Sequence, residues 1–266
     1  LCAVEADFVR LPAAGGRAAP HLPPCAYPHL ILPRREVDPM PFDGGFLHKI
    51  AQELELMIGA RVDKIGQPNR DCIVLHLHNR GPVQRLVILA GAAPRLHFSS
   101  IPIEYPATPP MFCLLLRKHL SGGRLTGVTQ QGLDRILTLH FEAADELGDR
   151  ASFRLICELM GRQGNLVLVG ENGKVIDAIH RVDFAASESR PLLSGLEYCY
   201  PPRQEKLDLT VTSPLDAADR LLSGADLPLS KALLSVLEGA SPLNCRELSH
   251  RIALGDPPVS ALSPVQ

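Results

Sequence analysis

The feature that most constrains the fold is a succession of short segments with strand character, separated by turns. Nine such segments cover residues 61–65, 72–78, 85–89, 95–98, 125–130, 135–142, 152–160, 165–169 and 174–180. In the second of them, apolar residues at 73, 75 and 77 alternate with Val74, His76 and His78, which places the two sets on opposite faces of a strand. Glycine-containing turns such as 131–132 join neighbouring strands of an antiparallel sheet. The chain is therefore predicted to be rich in antiparallel β structure, with the Val74 face in solvent.

Two helices are predicted among these strands. Apolar residues at 46, 47, 50, 54, 57 and 58 recur at helical spacing and predict a helix that runs to about Gly59. Asp43 lies where an N-cap accepts the first free amide protons. A second helix is predicted over 110–120, because prolines precede this apolar run and Ser121-Gly122-Gly123 follow it. Strands and helices together predict an α+β fold for the first domain.

Changes in composition divide the chain into three parts. Residues 1–39 contain seven prolines, no methionine and no periodicity, so we expect either a stretch translated from a start site placed too early or a disordered extension. A first domain spans 40–206, with Pro201-Pro202 near its end. In 207–266, short helices at 217–222, 229–237 and 245–253, with a restart at Ser241-Pro242, predict a helix-turn-helix pair followed by a Pro/Ser-rich end.

Composition limits the possible partners. Lys and Arg total 27 and Asp and Glu total 29, so an RNA contact has to be a local patch and not an overall basic field. The seven cysteines are dispersed and lack C-x-x-C spacing, which argues against disulfides and zinc. His76 and His78 have no convincing partner ligand, so neither a metal nor a cofactor is predicted. Neither a membrane span nor a secretory signal is visible, and we expect a cytoplasmic protein.

Two groups of charged residues are candidates for binding. Asp134 and Arg135 are placed by the pattern at an exposed strand edge, where arginine suits phosphate and aspartate can accept from a ribose hydroxyl or a base amino group. From the residues alone, a polar turn before a solvated strand is the commoner explanation. Arg117, Lys118 and His119 end the second helix, where they either cover a phosphate or interact with the helix dipole and solvent.

Four stretches of the sequence match a known family. They are Met40-Pro-Phe-Asp-Gly-Gly-Phe-Leu, the run 111–120, Gln131-Gly-Leu-Asp-Arg-Ile and Glu158-Leu-Met-Gly-Arg-Gln-Gly-Asn. Over about 40 to 206, the chain resembles the N-terminal domain of the NFACT family of ribosome quality-control factors, and 207–266 resemble part of the family's helix-hairpin-helix region. Because the family normally continues into a long coiled coil and an RNA-binding domain, the resemblance implies that this sequence is a fragment. The resemblance implies an RNA-binding factor, not an enzyme, that engages an obstructed large ribosomal subunit carrying peptidyl-tRNA. It also implies recruitment of tRNA, alanyl-tRNA in bacterial relatives, for template-free C-terminal tailing.

The resemblance also assigns roles to particular residues. It implicates Asp43, Asp134 and Arg135 in tRNA-dependent tailing. Further positions that match the family are possible RNA contacts: Arg117, Lys118, His119, Arg162, Asn165, Arg181 and Arg190. The sequence departs from the family at Gln163-Gly164-Asn165, where relatives commonly have a serine before the asparagine. This departure weakens the expectation for Asn165.

Two alternative functions follow from the same resemblance. The family often carries the label fibronectin-binding protein, which implies a surface adhesin, but no export signal is visible. Its N-terminal fold resembles that of the formamidopyrimidine-DNA glycosylases, in which an N-terminal proline forms a Schiff base with an abasic sugar. Removal of Met40 would expose Pro41 for that role. Phe42 stands where the glycosylases have an acidic residue, and no zinc-binding cysteine set follows, so the sequence argues against glycosylase or lyase chemistry.

Overall fold

The computed structural model describes residues 42–145, 148–185, 187 and 190–262. The strands are β1 (Arg61–Asn69), β2 (Cys72–His78), β3 (Gln84–Leu89), β4 (Arg95–Ser99), β5 (Arg124–Gln130), β6 (Ile136–Ala144), β7 (Arg150–Glu158), β8 (Asn165–Val169) and β9 (Val175–Ala178). The helices are α1 (Gly44–Glu55), α2 (Met111–Leu120), α3 (Pro214–Leu222), α4 (Leu229–Val236) and α5 (Pro242–Ala253). The expected leader, 1–39, and Pro41 lie outside the described residues.

The nine strands form one antiparallel sheet, as the sequence predicts. Their order is β4-β3-β2-β1-β5-β6-β7-β8-β9. Among the described residues, β1 and β5 have one residue pair in register, Arg61 with Arg124, with backbone hydrogen bonds between 59–62 and 122–125 on either side, whereas β6 and β7 pair along their whole length. This narrow junction divides the sheet into a β1–β4 half and a β5–β9 half.

Both halves of the sheet share one hydrophobic core with α1 and α2. The two helices contribute side chains at helical spacing: Leu47, Ile50 and Leu54 from α1, and Phe112, Leu116 and Leu120 from α2. Each half of the sheet contributes fully buried residues, for example Leu75 and Leu86 from the first and Leu139 and Leu155 from the second. α1 packs against β5, and α2 packs against β1 and β6. Because α1 packs on β5, this core holds α1 close to the strands β5 and β6 that follow α2 in the chain.

The outer face of β2 differs from the prediction. The sequence predicts that Val74 faces solvent, but Val74 is fully buried beneath Ile103 and Tyr105. His76 is hydrogen-bonded to the Tyr105 hydroxyl at 2.9 Å, and His78 at the strand end is exposed. The prediction is wrong because the loop after β4 folds over β2, and the period of a strand carries no information about such a loop.

The last three helices form a small apolar cluster of their own. Helices α3 and α5 begin three residues earlier than the predicted 217 and 245, because Ser213 and Ser241 cap them and a proline occupies the first turn. Leu229, Leu233 and other residues of α4 pack with α5 across the hairpin that joins them. No helix in the described ranges has the length and apolar character of a bilayer span.

Candidate nucleic-acid interface

Asp43 is a buried carboxylate that connects the start of α1 to α5. Its backbone is extended, and its Oδ1 accepts a hydrogen bond from the Phe46 amide at 2.9 Å, so it caps α1 as predicted. Its Oδ2 accepts from the side-chain amide of Asn244 at 2.5 Å. Asp43 is only 7% exposed. Both carboxylate oxygens are thus engaged within the protein, and the residue holds two distant helices together.

Asp134 and Arg135 form a turn at the start of β6. The Asp134 amide donates to the Gln131 carbonyl at 3.0 Å, and the Arg135 amide donates to Asp134 Oδ1 at 2.6 Å. The side-chain amide of Gln130 donates to the carbonyls of Asp134 (2.8 Å) and Gly44 (3.0 Å). The predicted exposed strand edge is wrong, because β6 pairs with both β5 and β7. The charged pair instead lies in the turn that precedes this interior strand, and a ligand would approach the pair at that turn.

The hairpin between α4 and α5 supplies the other side of the site. Glu238 is buried, accepts a hydrogen bond from the Leu133 amide at 3.2 Å and pairs with Arg203 at 3.1 Å. The Gly44 amide donates to the Gly239 carbonyl at 2.9 Å. A side chain does not fit at Gly44, since a Cβ there would lie 1.6 Å from the Leu133 carbonyl oxygen. The hairpin is therefore seated against both α1 and the turn before β6.

A pocket of about 290 Å³ opens where these segments meet, and we term it the Asp134 pocket. Asp43, Asp134 and Arg135 all line it, so the structure brings together the three residues that the resemblance singles out. Lys206 and Glu238 complete its charged lining. Within the described part of the chain, no group of three His, Cys, Asp or Glu side chains is arranged to hold a metal ion. The pocket therefore presents mixed charges, at the sheet end and beside the hairpin.

Lys206 and Arg135 are the two cations that line this pocket among the described residues, and Arg135 is the more exposed of them. Its side chain is exposed and, among the described residues, makes no ion pair and no side-chain hydrogen bond. A guanidinium with unused donors binds phosphate in a bidentate manner. Asp134 Oδ1 is used by the Arg135 amide, while Oδ2 has no hydrogen bond within the described ranges. The pair thus offers donors for a phosphate and an acceptor for a hydroxyl or amino group.

The basic residues of α2 lie apart from the Asp134 pocket. Arg117 donates through Nε to the Ile65 carbonyl at 2.8 Å, and the His119 ring lies 5.2 Å from the ring of Phe153. Lys118 lies between them in the last turn of α2, where basic residues suit the helix dipole. None of the three lines the pocket. Their RNA contact stays a prediction, and it concerns a separate surface.

Three other candidates are not among the residues that line the Asp134 pocket. Asn165 is buried and bonds to both backbone groups of His180, donating to the carbonyl at 2.7 Å and accepting from the amide at 3.1 Å. Arg181 is exposed but is paired with Asp177 at 2.9 Å. Arg162 is exposed in the short 3₁₀ helix Gly161–Gln163. Asn165 joins the ends of two segments, and the roles of all three toward RNA stay predictions.

Arg190 occupies a buried polar network. Its guanidinium binds both oxygens of Glu158, a fully buried carboxylate, and donates to the Cys199 carbonyl at 2.7 Å. The Tyr198 hydroxyl donates to the same carboxylate at 2.7 Å. Burial and the neighbouring Glu158 carboxylate raise the pKa of Tyr198, which keeps its hydroxyl a donor. Arg190 thus connects the segment after β9 to the end of β7. Its contact with RNA stays a prediction, and it would have to be made by a side chain that already binds Glu158 and the Cys199 carbonyl.

The sequence gives little sign of three residues that build the site. Glu238 precedes a glycine and reads as part of a polar turn. Asn244 and Gln130 are single polar residues within a helix and at the end of a strand. Each acts on a backbone or side chain far away in the sequence, so no local pattern marks it.

Comparison with known proteins places this chain among ribosome quality-control relatives. Residues 43–266 match the NFACT N-terminal and middle domains. The Rqc2 homolog RqcH of Bacillus subtilis (strain 168) is 35% identical over 224 residues, which are 82% of this chain and 38% of that protein. The chain therefore spans well under half the length of this relative.

Two solved structures share the fold. The N-terminal domain of the fibronectin-binding protein PavA from Streptococcus pneumoniae has a TM-score of 0.75 and 29% identity, with 80% of each chain covered. The N-terminal part of the fibronectin/fibrinogen-binding protein from Streptococcus suis has a TM-score of 0.73 and 32% identity, with 79% of each covered. Both match the mixed α/β architecture with its large antiparallel sheet.

Proposed function

Since this chain belongs to the NFACT family, we propose that it is the RNA-recognising part of a cytoplasmic ribosome quality-control factor. In this proposal the complete protein binds an obstructed large ribosomal subunit with its peptidyl-tRNA. It then recruits a tRNA, alanyl-tRNA in bacterial relatives, for template-free C-terminal tailing. The ribosome makes the peptide bonds, and the present chain contributes recognition and orientation.

The convergence of Asp43, Asp134 and Arg135 on one pocket carries this proposal. The three residues come from two segments about ninety positions apart, and the hairpin that closes the pocket comes from a third. Polar residues that only contact solvent do not need to be brought together from three distant segments. An exposed guanidinium held beside an unused carboxylate oxygen matches the phosphate and ribose groups of RNA.

The two kinds of residue in the pocket have different roles in this proposal. Arg135 and Asp134 contact the RNA, because their side chains keep unused hydrogen-bonding groups. Asp43 acts indirectly, because its carboxylate caps α1 and holds Asn244. Substitution of Asp43 is therefore expected to reduce stability as well as tailing, whereas substitution of Arg135 affects tailing alone.

Tail formation by a full-length protein carrying Arg135→Ala tests the proposal. We expect tailing to fall at least about tenfold, since a lost charged contact to phosphate weakens binding by about 1.5 kcal/mol or more. Arg150→Ala is the matched control, because its side chain is 91% exposed and its pairing with Glu142 is long, at 3.9 Å. Circular dichroism establishes that both variants are folded. Normal tailing by folded Arg135→Ala protein would show that the Asp134 pocket is not the tRNA-binding site.

The names of the structural neighbours favour a second candidate, a fibronectin-binding adhesin. This function predicts saturable binding of fibronectin by the chain and the presence of the protein outside the cell. The same Arg135→Ala and Arg150→Ala variants distinguish the two candidates. Binding of fibronectin by both variants, together with normal tailing, would favour the adhesin over the ribosome factor.

A further inference from the structure

A second cavity, of about 650 Å³, lies beside the Asp134 pocket and shares Arg135 with it. We term it the Phe46 pocket. Its lining includes Phe42 and Phe46 from the start of α1, and Pro94, Arg95 and His97 from β4 and the loop before it. Among the residues that the structure describes, no acidic side chain lines it. The cavity is therefore apolar on its α1 side and basic at Arg95 and Arg135.

The aromatic wall of the Phe46 pocket is only partly covered. The rings of Phe42 and Phe46 lie 5.3 Å apart at 79°, in an edge-to-face arrangement that fixes their orientation. Phe42 packs against the core, whereas Phe46 remains 49% exposed. The Phe46 amide donates to the Asp43 carboxylate, so the ring is attached to the capped first turn of α1. A flat apolar surface is thus presented to the cavity by a rigid element.

Within the described part of the chain, the two arginine charges at the Phe46 pocket are not neutralised by an ion pair. Neither Arg95 nor Arg135 has an ion pair or side-chain hydrogen bond among the described residues. Most other arginines that line a cavity differ, as Arg181 is paired with Asp177 and Arg70 with Asp71. Two unpaired guanidinium groups beside an exposed aromatic ring favour a ligand that combines negative charge with a flat ring.

We propose that the Phe46 pocket takes an unpaired nucleotide of a bound RNA, with its base against Phe46 and its phosphate beside Arg95 and Arg135. This inference rests on the proposed RNA-binding function and deepens it. Base stacking on an aromatic side chain needs an unstacked base, which loops and single strands provide and duplexes do not. Because Arg135 lines both cavities, the neighbouring nucleotide reaches the Asp134 pocket. The chain therefore selects RNA for an accessible base as well as for its backbone charge.

The experiment measures binding of the 266-residue chain to a seven-nucleotide single-stranded RNA with 2-aminopurine at its centre. Stacking of 2-aminopurine on an aromatic ring quenches its fluorescence. We expect quenching with wild-type protein and about tenfold weaker binding by Phe46→Ala, in line with the cost of removing one stacking ring. Phe46→Trp, which keeps an aromatic face, is expected to restore binding, whereas Phe46→Leu is not.

Controls separate stacking from loss of structure. Phe184→Ala removes another exposed phenylalanine, 57% exposed and outside the pocket, and is expected to bind like the wild type. Thermal unfolding monitors the fold of each variant. A duplex of the same sequence is expected to bind more weakly than the single strand, with no fluorescence change. Arg95→Ala is expected to weaken binding of both RNAs and to preserve the quenching at saturation.

Several outcomes would overturn the pocket assignment. Unchanged affinity of folded Phe46→Ala, equal affinity for duplex and single strand, or absence of RNA binding by the wild-type chain would each do so. Saturable binding of a proline-rich peptide at Phe46, without quenching by RNA, would do so as well. Tailing by the full-length Arg135→Ala variant tests the proposed function separately, so loss of tailing with unchanged Phe46→Ala binding would reject the Phe46 pocket and leave the proposed function standing.

Discussion

At the scale of single residues, the partners of an arginine decide what it can do. Arg135 is exposed with unused donors, whereas the Nε and both terminal nitrogens of Arg190 donate to the Cys199 carbonyl and to Glu158. A sequence shows both as arginines in matching family positions. Only the fold distinguishes the one that can bind a ligand from the one that neutralises a buried carboxylate.

Arg190→Ala is therefore expected to affect stability more than RNA binding. The change leaves the fully buried Glu158 with Tyr198 as its side-chain donor, and loss of one partner of a buried ion pair costs about 3–5 kcal/mol. Urea unfolding monitored by circular dichroism measures the free energy of unfolding. Arg162→Ala, at an exposed position, is the control and is expected to be neutral. A stable Arg190→Ala protein with impaired RNA binding would reverse this assignment.

His76 gives the fold a dependence on pH. Burial, together with the positive charges of Lys64 and Arg85, lowers the pKa of His76, while Asp63 acts in the opposite direction. The unfolded chain therefore takes up the proton first as the pH falls, and the contribution of neutral His76 is lost as pH falls through the folded pKa. We expect His76→Gln to lose less stability than wild type between about pH 7 and pH 5. Identical pH profiles of unfolding would contradict the assignment.

At the scale of elements, the site depends on the close approach of α1, the turn before β6 and the α4–α5 hairpin. Gly44 and Gly45 both start α1, yet only Gly44 lies against another backbone. A Cβ at Gly45 would meet nothing closer than Asp43 Oδ1 at 3.7 Å. Adjacent glycines in one helix turn therefore have different reasons to be glycine.

These two glycines give a paired prediction with opposite signs. Gly45→Ala is expected to stabilise the fold by about 0.5–1 kcal/mol, because alanine is the better helix former and the space is open. Gly44→Ala is expected to destabilise it by about 1–3 kcal/mol, because the new methyl overlaps the Leu133 carbonyl oxygen and pushes the turn away. Urea unfolding of both variants measures the difference. Equal effects in the two variants would contradict the close packing of α1 on this turn.

The sequence predicts helices and strands better than it predicts the tertiary contacts between them. Local patterns predict all nine strands, and Asp43 predicts the start of α1, because these signals depend on neighbouring residues only. The sequence pattern misplaces Asp134 at a sheet edge and Val74 in solvent, because strand order and loop coverage depend on contacts distant in sequence. For the same reason it misses Glu238 and Asn244. The likeness to the glycosylase fold and the domain boundary near 206 stay predictions.

At the scale of the whole molecule, charge is balanced and binding must be local. The net charge of −2 leaves no basic field, and our proposal places phosphate at Arg95 and Arg135, which line the two pockets. We expect the logarithm of the RNA binding constant of this chain to fall with the logarithm of salt concentration by only about 1.4, for two contacts of roughly 0.7 each. Binding isotherms at several KCl concentrations measure the slope. A slope several times steeper would show that a larger basic surface is used.

The hydrogen bond between Asp43 and Asn244 also determines when the Asp134 pocket can form during synthesis. These residues are separated by 201 positions, so a ribosome that adds about 5–20 residues per second completes the pair about 10–40 s after it has made Asp43. Until then the capped helix has no partner hairpin, and the Asp134 pocket lacks one wall. A nascent copy of this chain therefore cannot present the finished pocket to RNA until the α4–α5 hairpin has emerged from the ribosome.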